Sequence, residues 1–369
     1  MKKITIISLL FLASTFTIQA QKITLGTTIT RDLGKYNGEM ESGKPNGKGR
    51  TEYPAGDVYE GEYEGGYKQG EGVYTYANGE RYEGTWVKDL KNGFGKFYFL
   101  NNNRYEGLWY KDKQKGHGVM YYYNGDKYDG EWNNNKREGK GTYTFKSGAS
   151  YTGNWHNDQK HGIGTFVWDD GSSYEGTWEA NVRTGYGKFI FSDGDIYIGD
   201  WVNDEQHGKG IYRYQSGDVY EGSYVEGQRT GVGLFTYANG DKYNGYFLEG
   251  NRHGMGTFIW SNGDMYEGEW KQDKQNGRGK LTKPNGDRFE GTFVDGKLDG
   301  EVIIHFQDGT RFRGIYKAGK RNGSAIEETK DGVRFEGTYV DDKRDGKFVE
   351  KDRNGRITTE GFYVNGRRQ

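Results

Sequence analysis

An aromatic residue followed two positions later by glycine recurs at Tyr36, Tyr59, Tyr82, Tyr105, Tyr128, Tyr151, Tyr174, Tyr197, Tyr220, Tyr243, Tyr266, Phe289, Phe312 and Phe335, and every step is 23 residues. No other feature constrains the fold so strongly. Units that share a period share a local structure, and each buries apolar surface only against its neighbours. One elongated body is therefore expected from the 369 residues, in place of several separate cores.

The residues within one unit define its elements. In Tyr59-Glu60-Gly61-Glu62-Tyr63 a period of two puts the rings and the glycine on one strand face and both glutamates on the other. An eight-residue polar loop is expected next, followed by the strand Gly72-Val73-Tyr74-Thr75-Tyr76 and a turn at Ala77-Asn78-Gly79-Glu80-Arg81, where Asn-Gly is a strong hairpin signal. Each unit then reads as a β-hairpin with strands of about five residues. Apolar residues are only 32% of the chain, but aromatics are 16% and the 63 glycines sit at regular positions, which argues against disorder. The expected class is all-β: an elongated, twisted, single-layer antiparallel sheet of tandem hairpins. At about 4.8 Å per strand it would extend on the order of 130 Å. If Tyr59 pairs with Tyr76, Gly61 lies opposite Tyr74 and Tyr63 opposite Gly72, so each ring covers a glycine. A tighter turn with a bulge would shift that register.

The ends depart from the period. Lys2 and Lys3 precede an apolar run from Ile4 to Phe16 and then Ile18-Gln19-Ala20, the pattern of a signal peptide over residues 1–20 cleaved after Ala20. The run is short for a membrane span and is interrupted by Ser8, Ser14, Thr15 and Thr17. Export to a periplasmic, cell-surface or extracellular location is the expectation. Residues 21–35 read as a short leader, 36–358 as an array of 14 units, and 359–369 as a partial terminal unit. After Phe289 the units change: Val302, Ala325 and Phe348 replace a glycine while phenylalanine replaces the leading tyrosine, as in capping units of a solenoid.

Charge and composition exclude several functions. A net charge of −1 provides no field for nucleic acid, and the absence of cysteine removes thiol catalysis and thiolate metal sites. His161, His207 and His253 share one loop position but lie two units apart, about 19 Å, too far for one ion. Glu60, Glu83, Glu106, Asp129, Glu175, Glu221, Glu267, Glu290 and Glu336 form a carboxylate row in which no pair stands out as acid and base, so the row reads as a solvated face. No catalytic residue, cofactor or metal is expected. Strands this short, with a charged face, also argue against an outer-membrane barrel.

The phrase YEGxW, polar loop, HGxG or NGxG, aromatic strand and xxGDxYEG resembles the MORN repeat, the membrane occupation and recognition nexus motif. It fits closely at Tyr151 to Trp155 with His161 to Gly164, and at Tyr266 to Trp270 with Gly277 to Gly279; Asn102 departs from it where the turn glycine belongs. The resemblance implies a single-sheet array that serves as a scaffold, an oligomerisation surface, or a docking site for proteins or phospholipids. MORN units also accompany catalytic domains, but fewer than about 50 residues remain here outside signal and repeats, well below domain size. The expected function is a non-enzymatic scaffold for protein partners at the envelope or outside the cell, with a homodimer among its arrangements. The alternative is a surface for phospholipid headgroups or cell-wall glycan, served by basic loops such as Lys136-Arg137 and Lys320-Arg321. The candidate groove is aromatic: Tyr82, Trp86, Trp109, Trp132, Trp155, Trp178, Trp201 and Trp270, with Trp168 and Trp260 on the neighbouring strand. The favoured reading of these rings is the core of the sheet; the groove reading rests on a single layer leaving one side of the row partly exposed.

Overall fold

The computed structural model describes residues 22–369; the signal peptide expected over residues 1–20 lies outside the described residues. The chain divides into two compact units, one up to Lys146 and one from Ser147. The first runs from the strand Thr24–Ile29 to the strand Lys136–Thr144, the second from Ser150–His156 to Arg367–Arg368, and both contain strands only among the described residues. Within each unit, strands that are neighbours in the chain pair antiparallel, except that Lys343–Arg344 and Gly346–Lys351 both pair with Arg334–Val340. Strands of seven residues that carry the leading aromatic, such as Val58–Glu64, alternate with strands of nine, such as Tyr67–Thr75.

The eight-residue loop does not form. Val58–Glu64 and Tyr67–Thr75 are joined by Gly65 and Gly66 alone, with φ of 57° and 86°. Positive φ at both central positions defines the tight turn whose twist matches that of the flanking strands. At Asn134-Asn135 and Asn157-Asp158 the same conformation is held by residues that tolerate it through their short polar side chains. The supposed loop residues belong to the ladder. The second connection is the expected one: Gly79 (φ 97°) donates its N–H to the Tyr76 carbonyl at 2.9 Å, and the Tyr76 N–H reaches the Glu80 carbonyl at 2.9 Å.

The tighter turn moves the register. Tyr59 stands opposite Tyr74, Gly61 opposite Gly72 and Tyr63 opposite Lys68, with a bulge between Gly61 and Tyr63. Tyr59 therefore does not pair with Tyr76. The bulge lets one ring cover two glycines directly opposite each other, since a Cβ on Gly61 or on Gly72 would lie 2.5 or 2.3 Å from the Tyr59 hydroxyl. That hydroxyl donates to the Glu62 carbonyl at 3.1 Å, where the ladder is interrupted. A buried phenol and a carbonyl at the break satisfy each other, which removes a desolvation cost of about 1–3 kcal/mol.

The core lies on this face. Tyr82 is wedged edge-on between Trp86 and Trp109, with ring centroids 5.2 and 5.4 Å away. The Trp86 and Trp109 indole N–H groups donate to the Gly72 and Gly95 carbonyls at 3.3 and 3.2 Å. The outer side of the ring layer is closed by a long cation from the nine-residue strand. The Lys91 ammonium lies 5.0 Å from both the Phe97 and Trp109 rings, and the Arg183 guanidinium lies 4.5 Å from Trp201. Aliphatic stems and cation–π attraction thus supply the cover that a second layer would give.

Candidate binding surface

The residues of the expected aromatic groove are interior. Tyr82 is fully buried, and Trp86, Trp109, Trp132, Trp155, Trp178, Trp201 and Trp270 are all buried, with a lysine or arginine over Trp86, Trp109, Trp178, Trp201 and Trp270. Trp168 and Trp260 are half-buried; Trp168 packs between Phe166 and Phe189 at 4.5 and 5.3 Å, and Trp260 against Phe258 at 4.7 Å. The basic loops are strand residues. Arg321 covers the Tyr339 ring at 4.5 Å and Arg137 the Tyr128 ring at 5.6 Å.

Burial sets the protonation of this layer. The Tyr36 and Tyr174 hydroxyls are pushed up to about 12 by desolvation, so they remain hydrogen-bond donors at any physiological pH. Desolvation pushes the Lys160 ammonium the other way, down to about 8. The Trp178 face, 3.9 Å from the Lys160 nitrogen, favours the charged form.

The opposite face is accessible. Its side chains come from the Glu row and from the residue between the two glycines of each Gly-x-Gly. At Ile163, Tyr186, Val232 and Met255 that residue is apolar and 60–66% exposed. In the unit from Ser147 this face carries a groove of about 550 Å³ whose lining includes Tyr186, Ile198, Ile211, Glu221, Val232 and Leu234. Ile163, Tyr186, Val232 and Met255 fall in the segment that the sequence pattern assigns to a polar loop, whereas Glu221 already belongs to the carboxylate row. The available signal was that the middle residue of Gly-x-Gly varies freely while its glycines hold up to Gly279: Phe94, His117, Tyr186, Lys209 and Val232 all occupy it.

His161, His207 and His253 lie on nine-residue strands, opposite Asn154, Asp200 and Tyr246. Among the described residues no three His, Cys, Asp or Glu side chains gather in metal-binding geometry. Much of the Glu row is paired: Glu60 with Arg50 at 3.1 Å, Glu106 with Arg104 at 2.8 Å and Glu267 with Lys280 at 2.7 Å.

Turns are linked from unit to unit. The Asp89 carboxylate accepts the Lys68 backbone N–H at 2.8 Å, and Asn181 accepts that of Lys160 at 2.9 Å. On the other edge the Asp57 carboxylate accepts from the Ala77 N–H at 2.8 Å and the Tyr74 hydroxyl at 2.7 Å. This explains why aspartate follows the turn glycine.

The family model for the MORN repeat matches fourteen successive segments, from residues 36–58 to 335–355. The chain belongs to the MORN repeat family. The matched MORN segments start at 23-residue steps throughout, and each but the last covers one seven-residue strand, one nine-residue strand and both turns; in the last, the second strand is split into Lys343–Arg344 and Gly346–Lys351. Comparison with curated proteins finds no match. Among solved structures, the TCP10 domain of Danio rerio CPAP in complex with a peptide of Danio rerio STIL is similar at 14% identity and a TM-score of 0.33, over 61% of this chain and 99% of that one. The TCP10c domain of Drosophila melanogaster Sas-4 is similar at 18% identity and a TM-score of 0.26, over 41% of this chain and 90% of that one. Likenesses this weak support no inference about function.

Proposed function

We propose that this MORN protein is a non-enzymatic scaffold that binds or organises protein partners at the cell envelope or outside the cell. The observation that carries the reading is the exposure of large apolar side chains, Ile163, Tyr186, Val232 and Met255, on a sheet face whose own core lies on the other side. Exposed apolar surface of this kind is the usual mark of a macromolecular contact. Repetition adds a second argument: function belongs to a row of side chains and not to one constellation, which suits a docking surface better than catalysis. The envelope location rests on the signal-like residues 1–20 alone.

Cross-linking in the native envelope tests the reading, with Ile163, Tyr186, Val232 and Met255 changed together to serine as control. Proteins captured by the wild type and lost from the folded variant are the expected outcome. Capture of phospholipid or glycan in place of protein favours the alternative surface, and a product of twice the chain mass identifies the homodimer. Retention of the protein in the cytoplasm would remove the envelope from the proposal.

A further inference from the structure

We propose that the groove between Tyr186 and Asn244 receives an extended polypeptide segment carrying one arginine or lysine among aliphatic side chains, with Glu221 as the anchor of the basic group. The inference rests on the protein-binding reading and names where and how that binding occurs.

The groove crosses six strands, from Val182–Ile190 to Lys242–Leu248. At about 4.8 Å per strand it is some 24 Å long, room for about seven extended residues. Its floor includes the main chain of Gly199, Gly210, Gly222 and Gly233, which stand opposite one another in the ladder. That backbone is already committed to strand pairing, so a ligand is held by side chains and not by strand addition. Tyr186 and Val232 offer apolar surface along one side of the glycine stripe, while Ile198, Ile211 and Leu234 offer it along the other.

Charge decides the occupant. Elsewhere in the carboxylate row a basic residue stands directly across a strand or two positions away: Arg50 faces Glu60 and Lys280 faces Glu267. Glu221 has Ile211 on one side and Leu234 on the other, and it makes no hydrogen bond or ion pair among the described residues. Of the two cations diagonal to it, Lys209 donates its ammonium to the Ser223 hydroxyl at 2.8 Å and its N–H to the Asp200 carboxylate at 3.0 Å, and Arg213, two residues beyond Ile211, makes no ion pair with Glu221. A lone carboxylate between two aliphatic side chains favours a ligand with an apolar stem and a cationic head. Arginine fits best, because its stem lies along apolar surface while its planar head offers two parallel donors to a carboxylate.

The test is fluorescence anisotropy of the full chain with three labelled seven-residue peptides: a central arginine flanked by valines and threonines, and the same peptide with citrulline or glutamate at the centre. The arginine peptide is expected to bind, and either citrulline or Glu221→Gln to weaken it roughly tenfold. Combining the two changes adds little, because both remove the same pair. Tyr186→Ala, at a residue 65% exposed, weakens all three peptides without unfolding the sheet. Equal binding of the arginine and citrulline peptides, no effect of Glu221→Gln, or no binding at all overturns the proposal. Cross-links from the full chain to a protein partner that fall outside residues 186–244 also overturn it, yet leave the scaffold reading standing; absence of any protein cross-link defeats the scaffold reading itself.

Discussion

The Tyr151 hydroxyl occupies the space where a side chain on Gly164 would begin: a Cβ built there lies 2.3 Å from that oxygen and 2.5 Å from the adjoining ring carbon. The glycine exists for the ring. The same chain contains the reciprocal solution, since Val302 and Ala325 stand opposite Gly291 and Gly314 only where the leading ring is Phe289 or Phe312. Without a hydroxyl the ring leaves room for a methyl group, and Val302, Phe312, Ala325 and Phe348 then join one buried cluster.

Gly164→Ala should therefore destabilise the unit from Ser147 by about 1–3 kcal/mol, the cost of overpacking a close-packed site. Tyr151→Phe in the same chain should recover part of that loss, although alone it costs about 1 kcal/mol by leaving the Asn154 carbonyl without its 2.9 Å donor. Urea titrations of the two single variants and the double variant decide it; strictly additive losses would sink the steric account.

Asn181 tests the tight turns. It sits at φ 74° and its side-chain oxygen accepts the Lys160 N–H. Asn181→Gly keeps the backbone conformation and loses one hydrogen bond, about 0.5–1.5 kcal/mol. Asn181→Ala loses both and should be worse by about 1 kcal/mol, the penalty of the left-handed region. Thermal unfolding of the pair should rank glycine above alanine.

The indoles are a stability element before they are a binding one. Trp178→Ala should cost about 3–5 kcal/mol, as for any large ring removed from a core, whereas the half-buried Trp168 should cost less. Near-ultraviolet circular dichroism of both variants checks this. Loss of lipid or glycan binding on changing Trp132, Trp155 and Trp178 together would report unfolding, so binding is better tested through Tyr186 and Met255.

Two opposed pH effects follow from burial. Tyr36 and Tyr174 have folded values near 12 against an ordinary 10.0, so their stabilising contribution is complete below pH 10 and is lost as pH rises from 10 through 12. Lys160 has a folded value near 8 against 10.5, so the unfolded chain binds more protons between those values and stability rises with pH across that window. Urea midpoints should hold or rise from pH 8 to 10 and then fall steeply. The stability of the wild type relative to Lys160→Met should rise from pH 8 to 10; a constant difference would show that Lys160 keeps its ordinary pKa.

Much of the fold is legible in the period. The spacing from Tyr59 to Tyr82, the aromatic–Gly–aromatic alternation and Asn78-Gly79 together specify antiparallel hairpins with rings on one face. The register was not legible, because turn pairs such as Lys88-Asp89 and Ala180-Asn181 carry no strong turn signal, yet they adopt positive φ at both positions. The candidate surface was misplaced for a related reason. A ring beside a glycine reads the same whether it lies open or covered, and the cover comes from Lys91 or Arg183, which sit in a segment whose polar composition reads as a loop.

The sequence alone determined the repeat, the all-β class and the packing of rings over glycine, because each depends only on side-chain period and on steric room at Cβ. Tertiary structure decided which face remains open. Closing the hairpins with two-residue turns brings a long cation over every ring row it can reach, buries Trp86 through Trp270, and leaves the middle residues of Gly-x-Gly, with Glu221 between Ile211 and Leu234, facing solvent.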